Sequence, residues 1–230
     1  MRGPAILAHE IKNPLAAIKG ASQLLSRRAG VENAQFTDII TEQVERIASL
    51  IDRMQALGSG VLEPSRAVNP HPFIRRAVAT IMASGDTSCV IDENFDPSIP
   101  DVEASPEGLL QILVNLLANA ADAVRAEPNG KIIVRTRYVS GLAVTAKSGV
   151  DIRQLPVEIA ICDNGVGIDA QIVDSVFEPF VSTKKQGQGL GLPLVQKLTH
   201  DMGGRVTHMR DDRTGLTEFR LHLPTAVPST

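Results

Sequence analysis

Residues 157–168 read Val-Glu-Ile-Ala-Ile-Cys-Asp-Asn-Gly-Val-Gly-Ile, a hydrophobic strand that runs directly into a carboxylate and two glycines. Apolar, β-branched residues followed by glycine are typical of a buried strand that ends in a turn. Gly165 and Gly167 permit positive φ and let the backbone approach a ligand closely. A plain strand-ending turn would have the same pattern. Asp163 is therefore a candidate ligand-binding residue whose role depends on its surroundings.

A pair of asparagines lies in the apolar segment 109–123, upstream of this strand. Asn115 and Asn119 are four residues apart, which stacks two carboxamides on one face of a helix. Buried amides need hydrogen-bond partners. Mg²⁺ and a triphosphate would satisfy them, because Mg²⁺ commonly combines one or two protein oxygens with phosphate oxygens and water. Bonds to the helix backbone would satisfy them equally well.

A glycine-rich segment, Gly187-Gln-Gly189-Leu190-Gly191-Leu192, precedes an apolar helix on the other side of the strand. Backbone amides at a helix N-terminus can hold phosphate. The spacing is not that of a dinucleotide-binding fingerprint, and the segment lies far from any first strand, so a Rossmann fold is excluded. The polar segment between Phe177 and Gly187 contains Lys184 and Lys185. It is typical of a mobile lid over phosphates, although a lysine pair is also common on a solvated surface.

The first 57 residues predict two helices that pack along apolar seams. Apolar residues recur at steps of three and four, which suits helix-on-helix packing. The segment 29–33 between the helices is short enough to make them antiparallel neighbours. A single hairpin leaves each seam half covered, so we expect a homodimeric four-helix bundle. The two seams comprise Ala8, Ile11, Leu15, Ile18, Ser22 and Leu25, and Phe36, Ile40, Val44, Ile47, Ile51 and Met54.

The first helix carries the hexapeptide His9-Glu10-Ile-Lys-Asn13-Pro14. His9 lies about 100° from the seam, at the exposed edge of the bundle where a reactive imidazole needs to be. A neutral imidazole has one nucleophilic nitrogen, and a carboxylate that accepts the proton of the other nitrogen fixes the tautomer. Glu10 is the candidate, although adjacent helical residues do not face each other directly. Pro14 frees the carbonyl of Glu10 and favours a bend just beyond His9.

Glycine and proline at positions 58–72 predict a linker, with the boundary near 58–68. We therefore expect a phosphoacceptor and dimerisation hairpin at 1–60 and a second domain at 61–230. The second domain alternates helices at 71–84, 106–126 and 190–203 with strands at 89–95, 131–139, 156–162, 204–210 and 216–223, and an exposed hairpin loop at 140–155. Ser105 and Pro106 are a good helix start. The predicted fold is α + α/β: a helical hairpin followed by an α/β sandwich with a mixed sheet.

Composition excludes several classes of protein. The 230 residues are 43% hydrophobic with a net charge of −3, which argues against nucleic-acid binding through a basic surface. Cys89 and Cys162 lack metal-ligand spacing, and they fit core packing in a reducing compartment. No stretch approaches the roughly 18 to 20 apolar residues of a membrane helix, so we expect no membrane partner and a cytoplasmic location. Because few residues precede His9, we also expect an upstream sensor segment outside this chain.

Together, the segments 9–14, 115–119, 163–168, 177–180 and 187–192 resemble sensor histidine kinases of two-component systems, most closely the nitrogen-regulation (NtrB-type) subfamily. The resemblance implies a Bergerat-type ATP-binding fold in which Asp163 accepts a hydrogen bond from the adenine amino group. It assigns Mg²⁺ to Asn119, with Asn115 beside it. It also assigns to Glu10 the support of His9 and to Asn13 a role in phosphatase activity.

The implied activity is autophosphorylation of His9 by ATP and Mg²⁺, followed by phosphotransfer to an aspartate of a response regulator. The regulator would be NtrC-like, and a PII-type protein would set the balance of kinase and phosphatase activities. Two alternatives remain open. One is an ATP hydrolase of the same superfamily, although those enzymes use glutamate where this chain has Asn115. The other is a dimeric scaffold or phosphatase-only module that binds nucleotide for regulation.

Overall fold

The computed structural model describes residues 15–25, 37–45, 47–48, 51, 63–84, 89–145, 152–184 and 189–226. The chain divides into two compact units, an N-terminal unit, Met1–Val61, and a C-terminal unit, Leu62–Thr230. Within the described residues, no helix combines the length and apolarity that a membrane crossing requires. The turn predicted at 29–33 lies outside the described residues.

The N-terminal unit contains two helical segments, α1 (residues 15–25) and α2 (residues 37–45, with 47, 48 and 51 also helical). Leu15 packs with Val44 and Ile51 in a buried cluster. The Ser22 hydroxyl, near the other end of α1, donates to the carbonyl oxygen of Thr37 at 2.7 Å. The start of α1 contacts the end of α2, and the end of α1 contacts the start of α2. The two helices are therefore antiparallel, as predicted.

Half of the predicted seam residues that the structure describes are exposed in this unit. Leu15, Ser22, Val44 and Ile51 are buried, whereas four other predicted seam residues are 41–59% exposed: Ile18, Leu25, Ile40 and Ile47. One hairpin therefore buries one stripe of each helix and leaves a second apolar stripe uncovered. The remaining predicted seam residues, Ala8, Ile11, Phe36 and Met54, lie outside the described residues.

Three α-helices of the C-terminal unit begin and end close to their predicted bounds: α3 (Pro70–Ala83), α4 (Pro106–Val124) and α5 (Gly191–Asp201). The Ser105 hydroxyl accepts a hydrogen bond from the Gly108 amide at 3.1 Å, with Pro106 at the first helical position. This geometry satisfies one of the free amides of the first turn. The predicted start of α4 is confirmed. A short 3₁₀ helix spans Val173–Ser175.

The described strands of this unit are β1 (Arg66–Val68), β2 (Val90–Phe95), β3 (Val102–Ala104), β4 (Lys131–Tyr138), β5 (Ala143–Thr145), β6 (Ile152–Gln154), β7 (Val157–Asp163), β8 (Arg205–Asp211) and β9 (Leu216–Leu223). The main sheet has the order β2-β4-β7-β9-β8. Only its β2–β4 pair is parallel, and its other pairs are antiparallel. This mixed sheet confirms the predicted α/β sandwich.

Alternate residues of the sheet have opposite environments. The face that packs against the helices contributes a fully buried apolar layer that includes Ile132, Val134, Ile159 and Leu221. On the opposite face, Arg137 donates to both carboxylate oxygens of Glu158, at 2.6 and 3.1 Å. The core therefore lies between helices and sheet, and the other face is stabilised by ion pairs.

Four short strands were not predicted as strands: β1, β3, β5 and β6. β1 lies within the segment that the sequence predicts as linker, and it pairs antiparallel with β3. Each strand has three residues, too few to establish a period of two, and their pairing joins positions more than thirty residues apart. The hairpin predicted at 140–155 contains the antiparallel pair β5–β6, in which Ala143 faces Gln154.

Candidate functional site

The C-terminal unit brings together most of the residues that the sequence predicts for a nucleotide site. Asn115 and Asn119 lie on α4, Asp163 ends β7, and Gly165 and Gly167 follow it. Gly189 and Leu190 immediately precede Gly191, the first residue of α5. The remaining predicted residues, His9, Glu10, Asn13, Lys185 and Gly187, lie outside the described residues, and Lys184 is described.

Asp163 is a buried carboxylate, with 2% of its surface exposed. Its Oδ1 accepts a hydrogen bond from the amide of Gly165 at 3.0 Å. Burial raises the pKa of Asp163 to about 6, and the Gly165 hydrogen bond and the positive charges of Arg210 and Lys184 oppose that rise. A buried carboxylate with few donors around it is a strong acceptor for a ligand's N–H group.

Gly165 is required by close packing, and Gly167 by its backbone conformation. A Cβ atom on Gly165 would collide with the carbonyl oxygen of Ala123 near the end of α4 and would lie 2.8 Å from the Ala123 Cβ. Gly167 has a φ of 81°, and a Cβ there would collide with the Nη1 of Arg210. At Gly165, the loop after β7 therefore approaches α4 more closely than a side chain would allow.

The side chain of Asn115 is hydrogen-bonded to its own helix and faces the start of α5. Its Nδ2 donates to the carbonyl oxygen of Gln111 at 2.8 Å, which is the backbone alternative considered above. Its Oδ1 lies 3.3 Å from the position that a Cβ would take on Gly191. The carboxamide therefore keeps its oxygen at the junction of α4 and α5.

Asn119 lies beside the ammonium group of Lys184. The Nζ of Lys184 donates to the Oδ1 of Asn119 at 3.3 Å and to the Oδ2 of Asp122 at 2.7 Å. Two oxygens one helical turn apart thus converge on a cation. Carboxylate and amide oxygens are also the donors that Mg²⁺ prefers. Asp122 was not singled out from the sequence, although its i+3 spacing from Asn119 is a usable signal.

A backbone hydrogen bond holds the end of the glycine-rich segment just before α5. The amide of Phe180 donates to the carbonyl oxygen of Gly189 at 2.8 Å, and both residues have positive φ, 68° and 63°. Leu190 is buried and anchors the helix start, and no side chain caps the first turn of α5. The free amides of that turn can therefore bind an anion. The Phe180–Gly189 hydrogen bond therefore joins a residue of the predicted lid to the segment that follows the lid.

A surface cavity of about 490 Å³ lies elsewhere in the C-terminal unit. It is lined by the second half of α5 and by β8, with Thr199, His200 and His208 among its residues. It shares no residue with the predicted nucleotide site. The chemistry of Asp163 and the asparagines, rather than cavity size, identifies the candidate site.

Two family models match the chain. Residues 104–227 match "Histidine kinase-, DNA gyrase B-, and HSP90-like ATPase", and residues 5–60 match "His Kinase A (phospho-acceptor) domain". All the predicted nucleotide-site residues fall in the first match. His9, Glu10 and Asn13 fall in the second.

The curated relatives are named sensory histidine kinase/phosphatase NtrB. The Rhizobium leguminosarum bv. phaseoli protein is 36% identical over 218 residues, which is 95% of this chain and 56% of that protein. The Rhodobacter capsulatus protein is 38% identical over 221 residues, 96% of this chain and 61% of that protein. The chain thus spans somewhat more than half the length of the curated relatives it matches.

Solved structures share the fold. Full-length ShkA in complex with AMPPNP superposes with a TM-score of 0.77 at 22% identity, covering 99% of this chain and 46% of that one. The catalytic domain of histidine kinase ThkA covers 71% of this chain with a TM-score of 0.57 and 22% identity. Because the ATPase model matches more than half of the residues, the chain belongs to the family of histidine kinase-, DNA gyrase B- and HSP90-like ATPases, and its residues 5–60 are similar to a His Kinase A phosphoacceptor domain.

Proposed function

We propose that the chain is a protein-histidine kinase that uses ATP to phosphorylate His9 and passes the phosphoryl group to an aspartate of a response regulator. The observation that carries the proposal is the buried carboxylate of Asp163 next to the glycine loop and α4. The names of the relatives, which describe sensory histidine kinase/phosphatases, support the same activity.

Asp163 would accept a hydrogen bond from the exocyclic amine of adenine. Guanine presents a carbonyl oxygen at the corresponding position, so an ionised carboxylate there favours adenine nucleotides. Gly165 lets the loop lie against α4, and Gly167 supplies a positive φ, so the two glycines would shape the loop beside the base. The free amides at the start of α5 would hold phosphate, with Gly187, Gly189, Leu190 and Gly191 shaping that segment.

Asn119 would be the protein ligand of Mg²⁺, with Asp122 beside it and Asn115 in a supporting place. The two oxygens that converge on Lys184 support this assignment. The bound ion would neutralise part of the phosphate charge during transfer. Lys184, released from Asp122, would then be free to pair with phosphate oxygens.

We assign phosphoacceptor and dimerisation roles to residues 1–60 and nucleotide binding to residues 61–230. His9 would accept the phosphoryl group, Glu10 would support the charge that develops on its imidazole, and Asn13 would act in phosphatase activity. Homodimerisation through the hairpin would cover the apolar stripe that includes Ile18 and Ile40, which are 48% and 41% exposed.

The names of the relatives favour a place in nitrogen signalling in the cytoplasm. The response regulator would then be NtrC-like, and a PII-type signalling protein would set the balance between kinase and phosphatase activities. The proposed autophosphorylation uses only ATP, Mg²⁺ and residues of this chain, so it can be tested without either partner.

The first test is autophosphorylation with γ-labelled ATP and Mg²⁺, in the wild type, His9→Gln and Asp163→Asn. His200→Gln is the matched control, because His200 is an exposed histidine on α5 away from the predicted site. We expect acid-labile, alkali-stable label on the wild type and the control. We expect none on His9→Gln and little on Asp163→Asn.

Label that persists on His9→Gln would exclude His9 as the acceptor. Release of labelled phosphate without any labelled protein would favour the ATP hydrolase instead. Nucleotide binding with neither labelled protein nor released phosphate would favour the regulatory scaffold or phosphatase-only module.

A further inference from the structure

Asp163, Thr217 and Arg210 form a row across three neighbouring strands. In the β7–β9 pairing Asp163 faces Thr217, and in the β8–β9 pairing Arg210 faces Thr217. Directly paired residues in a sheet project from the same face. The guanidinium of Arg210 can therefore extend over Thr217 towards Asp163 and the loop that follows it.

The contacts of Arg210 follow this row. Its Nη1 donates to the hydroxyl oxygen of Thr217 at 3.0 Å and lies 3.4 Å from the carbonyl oxygen of Gly165. Thr217 is buried, which limits the positions that the guanidinium can take. The same nitrogen fills the space where a side chain on Gly167 would lie. Arg210 therefore lies across the glycine loop and holds it from the side of β8.

Two positive charges act on Asp163, and they come from different elements. Arg210 belongs to the sheet, whereas Lys184 belongs to the predicted lid and is bonded to Asp122 of α4. The residues that pair with Asp163 across the sheet, Ile132 and Thr217, are uncharged. Arg210 is thus the positive charge near Asp163 whose position is set by strand pairing and does not depend on the lid.

We propose that Arg210 is a positioning residue of the nucleotide site: it holds the Gly165–Gly167 loop and keeps the Asp163 carboxylate ionised to accept the adenine amine. This inference rests on the proposed function, since it assigns Asp163 to adenine. It adds a residue from β8, a strand that carries none of the predicted site residues. If Lys184 leaves Asp122 to pair with phosphate, the positive charge of Arg210 still supports Asp163.

The test uses Arg210→Gln, which retains a hydrogen-bond donor but removes the charge. Arg213→Gln is the matched control, because Arg213 lies in the β8–β9 turn with its side chain 94% exposed. Two measurements are made on each protein between about pH 5 and about pH 9: the ¹³C chemical shift of the Asp163 carboxyl without ligand, and the affinity for ADP by calorimetry.

In the wild type, ADP affinity should fall as pH decreases through the pKa of Asp163, because the protonated carboxyl loses its acceptor character. Loss of the Arg210 charge should raise that pKa, moving both titrations of Arg210→Gln upward by about one pH unit. ADP binding would then be about fivefold weaker than wild type near pH 6, with the difference closing at high pH. Arg213→Gln should follow the wild type.

Titrations of Arg210→Gln that superimpose on those of the wild type would overturn the inference. A pH-independent loss of affinity with an unchanged carboxyl titration would also overturn it, since the arginine would then only support the loop. If the wild type bound no ADP at any pH, the proposed function would fail. The carboxyl titration would still decide whether Arg210 controls the charge of Asp163.

Discussion

Replacement of Asp163 by asparagine should make the C-terminal unit more stable at neutral pH while it weakens nucleotide binding. The carboxylate is buried with its surface 2% exposed, and burial raises its pKa from 3.8 to about 6. The ionised form is therefore less favourable in the folded protein than in the unfolded chain. A neutral amide of similar shape avoids that cost and keeps an oxygen to accept the Gly165 amide.

The magnitude follows from the difference between the two pKa values. A little over two pH units corresponds to about 3 kcal/mol of unfavourable free energy in the folded state above the folded pKa. Because the asparagine NH₂ group must find a partner in the same space, we expect about 2 kcal/mol of net stabilisation at pH 7.5. The folded protein binds this proton more tightly than the unfolded chain. The wild type therefore recovers stability as pH falls, and the advantage of asparagine should decline to about a third near pH 5, vanish near about pH 4.5 and reverse below that.

The measurement is urea unfolding read by pulsed hydrogen exchange of the β7 peptide, which reports on the C-terminal unit alone. Each protein is unfolded at several pH values, and only the difference between wild type and variant is interpreted, since all other titrating groups are common to both. Asp212→Asn serves as the control, because Asp212 is exposed in the β8–β9 turn. It should stay within about 0.5 kcal/mol of the wild type.

A stability difference that does not change with pH would refute the reasoning, because it would show that burial does not penalise the charge of Asp163. An asparagine variant less stable than the wild type at neutral pH would refute it as well. In that case the carboxylate would be net stabilising through its hydrogen bond and its neighbouring positive charges.

Two further substitutions test the packing around the site and the charged face of the sheet. Gly165→Ala should destabilise the C-terminal unit by about 1–3 kcal/mol, because its methyl group would collide with the backbone of α4. In the control Gly20→Ala, the methyl group meets no atom within 4 Å, so the N-terminal unit should stay at least as stable. Thermal unfolding of each variant checks both expectations. Arg137→Met should lower the free energy of unfolding in urea by about 2 kcal/mol, since Glu158 is 2% exposed and would lose both hydrogen bonds from the guanidinium. Arg213→Met at the surface should change the free energy of unfolding by less than about 0.5 kcal/mol. Equal effects of the two arginine substitutions would show that burial of the carboxylate does not matter.

Most elements of the C-terminal unit could be predicted because their signals are local. The apolar pattern of α4, the Ser105 cap and the hydrophobic run of β7 are each contained in a short segment, and the structure agrees with them within a few residues. β1 and β3 are different: each has three residues, and each becomes a strand only by pairing with the other. Local pattern therefore cannot predict them.

The same distinction applies to the candidate site. Asp163, the two asparagines and the glycines could be recognised from residue type and spacing, because carboxylates, amides and glycines in apolar segments need a local reason. Which of these residues lie together depends on the folded arrangement. Asp122 joins the site through Lys184, sixty-two positions along the chain, and Arg210 reaches the carbonyl of Gly165 across forty-five. Such contacts depend on strand register and helix packing, which bring together side chains whose positions in the sequence are unrelated.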